Sequence, residues 1–335
     1  MTNTKKIEIT GPLDLLTTIP HLIGYEPDEE LIIIALKDKS DSVLVSMALD
    51  LPNPAETIET EFVTNLQETI TRAGAEGIVV VFYVKQNPEH YLELVSQLQI
   101  LLNSDIHIRD ILWVSQDHWA SYICQDLTCC PLEGRVLDKT KNSLAQVELV
   151  LAGRGLQDKG EISAWLSEYE LDEEIESQIQ ELQLKQLQAQ KTKKYTQWQK
   201  RIFKYLINNS LTSKKAQATL LLGLSDIAVR DALLAHHIEK AQEGADLHIY
   251  LVEFANQWAK VVKNSSKDFK SAICCCISAF LWQAGEGVLA RSALNTALSI
   301  DPSYRLAKLL ESSLDSGMPP WQFRDAFTKI SNPWG

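Results

Sequence analysis

The chain has 335 residues, 45% of them hydrophobic and 23% charged, a balance typical of a soluble globular protein with enough apolar mass for a core. No apolar run approaches the roughly 20 residues that a membrane-spanning helix needs. No apolar segment comes directly after Lys5 and Lys6, so we expect no secretory signal peptide. These features argue against a membrane protein, a secreted disulfide scaffold and a disordered chain, and they predict a cytoplasmic protein of about two domains.

The net charge of −12 is concentrated in the first part of the chain. Residues 1–140 carry 9 Lys and Arg against 22 Asp and Glu, whereas the remaining residues carry 23 against 22. Because an acidic surface repels phosphate backbones, this part argues against nucleic acid as a partner. A Lys-rich stretch over Lys191–Lys204 leaves nucleic-acid binding as a minor alternative.

The first part alternates between strand and helix patterns. Strand patterns cover Lys6–Thr10, Leu31–Leu36, Val43–Leu49, Ile78–Val84 and His107–Val114, and helix patterns cover Leu13–Ile23, Ala55–Ala73 and Glu89–Leu102. Strands separated by helices of 12 or more residues favour a mostly parallel sheet with helices on both faces, here with one antiparallel hairpin. We therefore predict an acidic α/β domain over residues 1–140 that ends in a Cys-rich turn.

From Ser143 onward the spacing of apolar residues is helical, so we predict an all-helical domain over residues 141–335. The predicted helices cover Ser143–Ala152, Glu161–Trp165, Asp172–Leu206, Lys215–Leu222, Asp226–Ala235, Asp246–Val262, Phe269–Gln283, Val288–Leu298 and Tyr304–Leu314.

A tetratricopeptide-like pattern lies near the end of the helical domain. Gly285 stands at a turn between helices, small residues at Ala290, Ala293 and Ala297 allow paired helices to approach, and Pro302 ends the unit. Repeat folds of this kind commonly bind proteins, so the pattern predicts a partner protein. The cysteines at 274–276 lie in an apolar helix, where consecutive side chains point about 100° apart, and we predict that they pack in the core.

One cluster could carry chemistry. His118, Cys124, Cys129 and Cys130 fall within 13 residues, and thiolate and imidazole are the ligands that zinc prefers. No Cys-x-x-Cys pair occurs, and two adjacent cysteines bind one ion only with strain. A zinc site, a disulfide between Cys124 and either other cysteine, a nucleophilic cysteine paired with His118, and purely structural thiols therefore all stay open.

Polar residues also follow the predicted strands, where open α/β sheets bind ligands. They are Asp50, Lys85, Gln86, Ser115, Gln116 and Asp117. Asp50 and Asp117 could act as paired acids or magnesium ligands, or they could simply cap turns and helices. The chain has no nucleotide-loop, serine-hydrolase or zincin motif.

Three segments together resemble a family of uncharacterised, mainly actinobacterial proteins classed as a domain of unknown function. The segments are Asp14–Ile33 with Leu49–Pro52, Ser121–Cys124 with Cys129–Pro131 and Gly134, and Ala284–Leu294 with Asp301–Pro302, Arg305–Ala307 and Gly317–Pro320. The resemblance implies that the Cys-Cys-Pro cluster is a family feature, and it carries no known activity. The Lys- and Gln-rich stretch over 178–204 and the cysteines at 274–276 depart from the family pattern.

We therefore predict a non-enzymatic interaction or scaffold protein that binds its partner through the helical domain. The alternative is a metal- or thiol-dependent enzyme, such as a hydrolase, at the carboxyl edge of the sheet. Its site would use Asp50, Asp117 and the cysteines at 124–130.

Overall fold

The computed structural model describes residues 11–37, 42–54, 60–85, 87–102, 106–139, 144–151, 156, 166, 172–243, 247–263, 265–315, 318, 320 and 322–324. The chain forms two compact units, residues 1–158 with 316–319 and residues 159–315 with 320–335. The predicted strand over Lys6–Thr10 and the predicted helix over Glu161–Trp165 lie outside the described residues. No helix in the described part is both long and apolar enough to cross a membrane.

The first unit is built on a six-stranded sheet of order β2-β1-β3-β4-β5-β6 within the described residues. The strands are β1 (Glu30–Lys37), β2 (Ser42–Asp50), β3 (Gly77–Tyr83), β4 (His107–Ser115), β5 (His118–Ser121) and β6 (Arg135–Val136). The pair β3–β4 is parallel, and the other four neighbouring pairs are antiparallel.

The prediction of a mostly parallel sheet is therefore wrong. The chain does cross over from β2 to β3 and from β3 to β4, and these three strands run in the same direction. However, β1 lies between β2 and β3, so the first crossover spans an antiparallel strand and creates no parallel pair. The short strands β5 and β6 then extend the sheet by antiparallel pairing.

The helices of this unit are α1 (Pro12–Ile23), α2 (Thr60–Arg72), α3 (Leu92–Leu102) and α4 (Leu144–Leu151). Alternate residues of β1 and β3, such as Leu31 and Val80, pack against α2 and α3. The intervening residues, such as Ile32 and Val81, are equally buried on the opposite face. This burial on both faces explains why β1 and β3 read as continuous apolar runs.

The second unit is helical throughout its described part. Its helices are α5 (Glu173–Lys191), α6 (Tyr195–Asn208), α7 (Lys214–Ser225), α8 (Ile227–Glu243), α9 (Leu247–Lys263), α10 (Lys267–Ala284), α11 (Gly287–Ile300) and α12 (Arg305–Asp315). The central helix is α10, which contacts α7, α9, α11 and α12. Its residues from Phe269 to Ala284 are all buried, including the three cysteines, as predicted.

Two sequence predictions for this unit have different outcomes. Gly285 adopts a left-handed conformation between α10 and α11, and Ala290, Ala293 and Ala297 have no exposed surface, so the predicted helical hairpin is confirmed. The helical pattern over Asp172–Leu206, which allowed one long helix or a hairpin, forms two helices. The chain breaks at Lys193, whose φ of 56° is left-handed, and α5 and α6 then pack against each other.

Candidate functional site

The three cysteines of the first unit converge in the loop that follows β5. The Sγ atoms of Cys124, Cys129 and Cys130 all lie within 4.8 Å of one another. A turn built on Asp126 brings the two adjacent cysteines back toward Cys124, because their backbone N–H groups both donate to the Asp126 carbonyl, at 3.0 and 2.7 Å. Thr128 donates to the Asp126 side chain, and these hydrogen bonds hold the pKa of that carboxyl below its usual range.

Ser121 anchors the start of this loop to the sheet. Its hydroxyl donates to Asp110 Oδ1 at 2.6 Å and accepts the backbone N–H of Cys124 at 3.0 Å. The next residue, Tyr122, donates its hydroxyl to the Pro88 carbonyl at 2.8 Å. The loop is therefore held to β4 and to the segment before α3, which fixes the position of the first cysteine.

Gly134 closes the far end of the loop. Its backbone N–H donates to the Pro131 carbonyl at 2.9 Å, and its φ of 78° is left-handed. A side chain at this position would meet the Trp113 ring, so the chain needs glycine for space as well as for conformation.

The three thiols differ in exposure. Cys129 is exposed, Cys124 is half-buried and Cys130 is buried. Burial, reinforced by the neighbouring thiols, raises the pKa of Cys130 to about 11, although a backbone hydrogen bond from Ser121 partly offsets the shift. At neutral pH Cys130 is therefore a protonated thiol, which does not suit a nucleophile. A bound metal ion would displace this proton.

His118 lies apart from the thiols. It stands at the other end of β5, opposite Ser115, and its Nδ1 lies 2.8 Å from Asp117 Oδ1. Three residue steps along the strand lead from it to Ser121, a span of about 10 Å. The structure therefore brings together three of the four residues that the sequence pattern grouped.

The two aspartates of the alternative prediction lie at the same edge of the sheet but on different strands. Asp50 ends β2 opposite Glu30, whereas Asp117 lies in the turn after β4. Three interstrand spacings separate β2 from β4, which is about 14 Å. The two carboxylates therefore do not form a pair for acid–base chemistry or for one magnesium ion.

A cleft of about 300 Å³ opens at this edge, where β3 and β4 end. The sequence pattern identified Lys85 and Gln116 on its wall but missed Tyr83 and Lys139. Tyr83 is the last residue of an apolar strand, and neither of its neighbours, Phe82 and Val84, is polar. Lys139 comes to the cleft only because the chain folds back after β6, and no local signal in the sequence indicates this.

These features define a class of fold, a mixed α/β sheet followed by an all-helical unit, with a three-thiol loop beside the sheet. The chain belongs to the DUF4192 family, a domain of unknown function whose family model matches residues 12–321. Comparison with curated proteins and with solved structures gave no match.

Proposed function

We propose that this protein binds one zinc ion through Cys124, Cys129 and Cys130. The observation that carries the proposal is the convergence of three Sγ atoms within 4.8 Å. Zn–S bonds of about 2.3 Å in a tetrahedron set sulfur atoms about 3.8 Å apart. An inward movement of about 1 Å would therefore complete three corners of the tetrahedron, even though Cys129 and Cys130 are adjacent.

A water molecule is our proposed fourth ligand. His118 lies at the end of β5 that is far from the sulfur atoms, and its Nδ1 already forms a hydrogen bond with Asp117. Cys129 is exposed, so solvent reaches this side of the cluster. Thiolate ligands must stay reduced, which agrees with the cytoplasmic location that the sequence predicts.

The role that we propose for the ion is structural and not catalytic. It would tie the start of the loop at Cys124 to its turn at Cys129 and Cys130, beside a strand that pairs over only four residues. Metal binding of this kind contributes directly to folding free energy. The protein remains, in our proposal, a non-enzymatic scaffold.

Zinc analysis of the freshly purified full chain tests the metal site. We expect about one zinc per chain in the wild type and less than a tenth of that in Cys124→Ser, because two thiolates hold the ion much more weakly than three. Cys274→Ala is the matched control, since it removes a buried thiol far along the chain, and it should keep its zinc.

Thiol titration under native and denaturing conditions separates the alternatives. Six reactive thiols in denatured, metal-free protein agree with the zinc site. Four thiols would indicate a disulfide in the cluster. Six thiols together with no zinc, even after incubation with zinc chloride, would mean that the thiols are purely structural and would contradict the proposal.

The helical unit is our proposed contact for a partner protein. What supports this is the hairpin of α10 and α11, whose alanines allow the close helix packing found in repeat folds that bind proteins. Lysine crosslinking in intact cells should yield intermolecular crosslinks from Lys200, Lys204 or Lys308, which are carried by helices of this unit. Crosslinks from the first unit alone would contradict this assignment.

A further inference from the structure

We propose that the cleft at the carboxyl edge of β3 and β4 binds a small zwitterion of the amino-acid class. This site is separate from the proposed zinc site, and the inference goes beyond that function. The cleft is formed by the segment before β1, the ends of β3 and β4, the β4–β5 turn and the segment after β6. Its lining residues with polar side chains are Asp28, Glu29, Tyr83, Lys85, Gln116 and Lys139.

The position of the cleft is the first argument. The strands β3 and β4 form the parallel pair of the described sheet and are connected through α3. Adjacent parallel strands with a helical crossover open a crevice at their carboxyl ends, where α/β proteins bind small ligands. A volume of about 300 Å³ is at the lower end of the range for ligand pockets, so it suits a molecule of about ten heavy atoms.

The second argument is the Tyr83 hydroxyl. Tyr83 lines the cleft and is only 7% exposed, and its hydroxyl has no hydrogen-bond partner in the described part of the chain. Leaving a buried hydroxyl unpaired is unfavourable, because the group loses its hydrogen bonds to water and gains none in the protein. Burial and the charges of Glu26 and Glu30 raise its pKa, so the hydroxyl keeps its proton and acts as a donor. The hydroxyl oxygen itself is fully buried, so a ligand with an acceptor oxygen would satisfy it through a small movement of the cleft wall.

The third argument is the charge pattern of the wall. Lys85 Nζ lies 2.8 Å from Asp28 and 3.1 Å from Glu29, and Lys139 Nζ lies 2.8 Å from Glu26. These pairs are about half exposed, so each contributes little to stability and opens readily. A simple anion would be repelled by the carboxylates, and a simple cation by the lysines. A zwitterion matches both, with its carboxylate on the lysines and Tyr83 and its ammonium group on Asp28 and Glu29.

Two wall residues also hold unusual backbone conformations. Glu29 has a φ of 52° and Gln116 has a φ of 55°, although neither is glycine. Left-handed backbone is unfavourable for residues with a Cβ, and strained conformations of this kind tend to collect at binding sites. Both side chains line the cleft, one on each side of the β3 end.

Calorimetric titration of the full chain with the common free amino acids tests the proposal. We expect at least one to bind, whereas its N-acetyl and carboxamide derivatives, which each lack one charge, bind at least tenfold more weakly. Equal binding of the N-acetyl form would show a plain anion site and overturn the zwitterion assignment. Absence of binding by every amino acid would overturn the site itself.

Variants then connect binding to the named residues. Lys85→Met should weaken binding about tenfold, and Tyr83→Phe about fivefold without lowering the Tm, because the lost hydroxyl has no hydrogen-bond partner among the described residues. Lys308→Met removes another exposed, paired lysine and should bind like the wild type. Cys124→Ser should also bind normally, so failure of the zinc site and failure of this cleft are distinguishable. Unchanged affinity in Lys85→Met and Tyr83→Phe would contradict the proposal.

Discussion

Replacing Gly134 with alanine is expected to destabilise the first unit by about 3 kcal/mol or more. The alanine Cβ would lie 2.5 Å from Trp113 Cη2 and 3.1 Å from the Trp119 carbonyl oxygen. The first atom belongs to a large ring in the core and the second to strand backbone, so neither can move away cheaply. The left-handed φ of 78° adds about 1–2 kcal/mol for any residue with a Cβ.

Gly74→Ala is the matched control for this substitution. Gly74 has a similar φ of 70°, but nothing lies within 4 Å of a Cβ built there. It should therefore lose only the conformational part, about 1–2 kcal/mol. Urea unfolding measures the free energy of unfolding of both variants. Hydrogen exchange at β4 and β5 then shows the effect on these strands. Equal losses in the two variants would show that the Trp113 contact does not matter.

The parts of the fold that the sequence predicts best are those decided by local physics. The apolar runs of β1 and β3 predict buried strands, and Gly285 ends its helix in the left-handed conformation at the turn that the sequence indicates. The order of the strands in the sheet is not decided by local physics. Whether β1 inserts between β2 and β3 depends on pairing across the whole sheet, and no local pattern in the sequence records it.

The candidate sites show the same distinction between what is local in the sequence and what depends on the whole fold. Cysteines at 124, 129 and 130 are close in sequence, so a single loop brings them together and the pattern predicts it. His118 is equally close in sequence, but the intervening residues form β5, and an extended strand carries the histidine away. The cleft combines residues from 27 to 139, so only the folded chain shows that Tyr83 and Lys139 share one wall.

The stability of the second unit is expected to fall as the pH drops from about 6.5 toward 3 because of one histidine. His237 is 4% exposed, packs against Phe254 with ring centroids 4.0 Å apart, and has its Nδ1 3.1 Å from the Tyr250 hydroxyl. Burial, with smaller contributions from His236 and Lys240, lowers its pKa to about 3. The folded protein therefore holds His237 neutral at pH values where an unfolded chain protonates it.

The direction of this effect follows from proton linkage. Above pH 6.5 neither state binds the proton, so the full stability is present. Below that value the unfolded state binds a proton that the folded state does not bind. Each pH unit then lowers the free energy of unfolding by up to about 1.4 kcal/mol, until the pH approaches 3. Between pH 7.5 and 4.5 this single group should cost about 3 kcal/mol, nearly all of it below pH 6.5.

Comparing the wild type with His237→Gln isolates this contribution, since glutamine does not titrate and all other groups cancel in the difference. The variant loses packing at every pH, so it should be the less stable protein at pH 7.5. The gap in free energy of unfolding should then shrink by about 3 kcal/mol at pH 4.5, because the wild type alone carries the proton penalty. A gap that is the same at both pH values would mean that His237 protonates in the folded state, and that the aromatic cluster around it admits water.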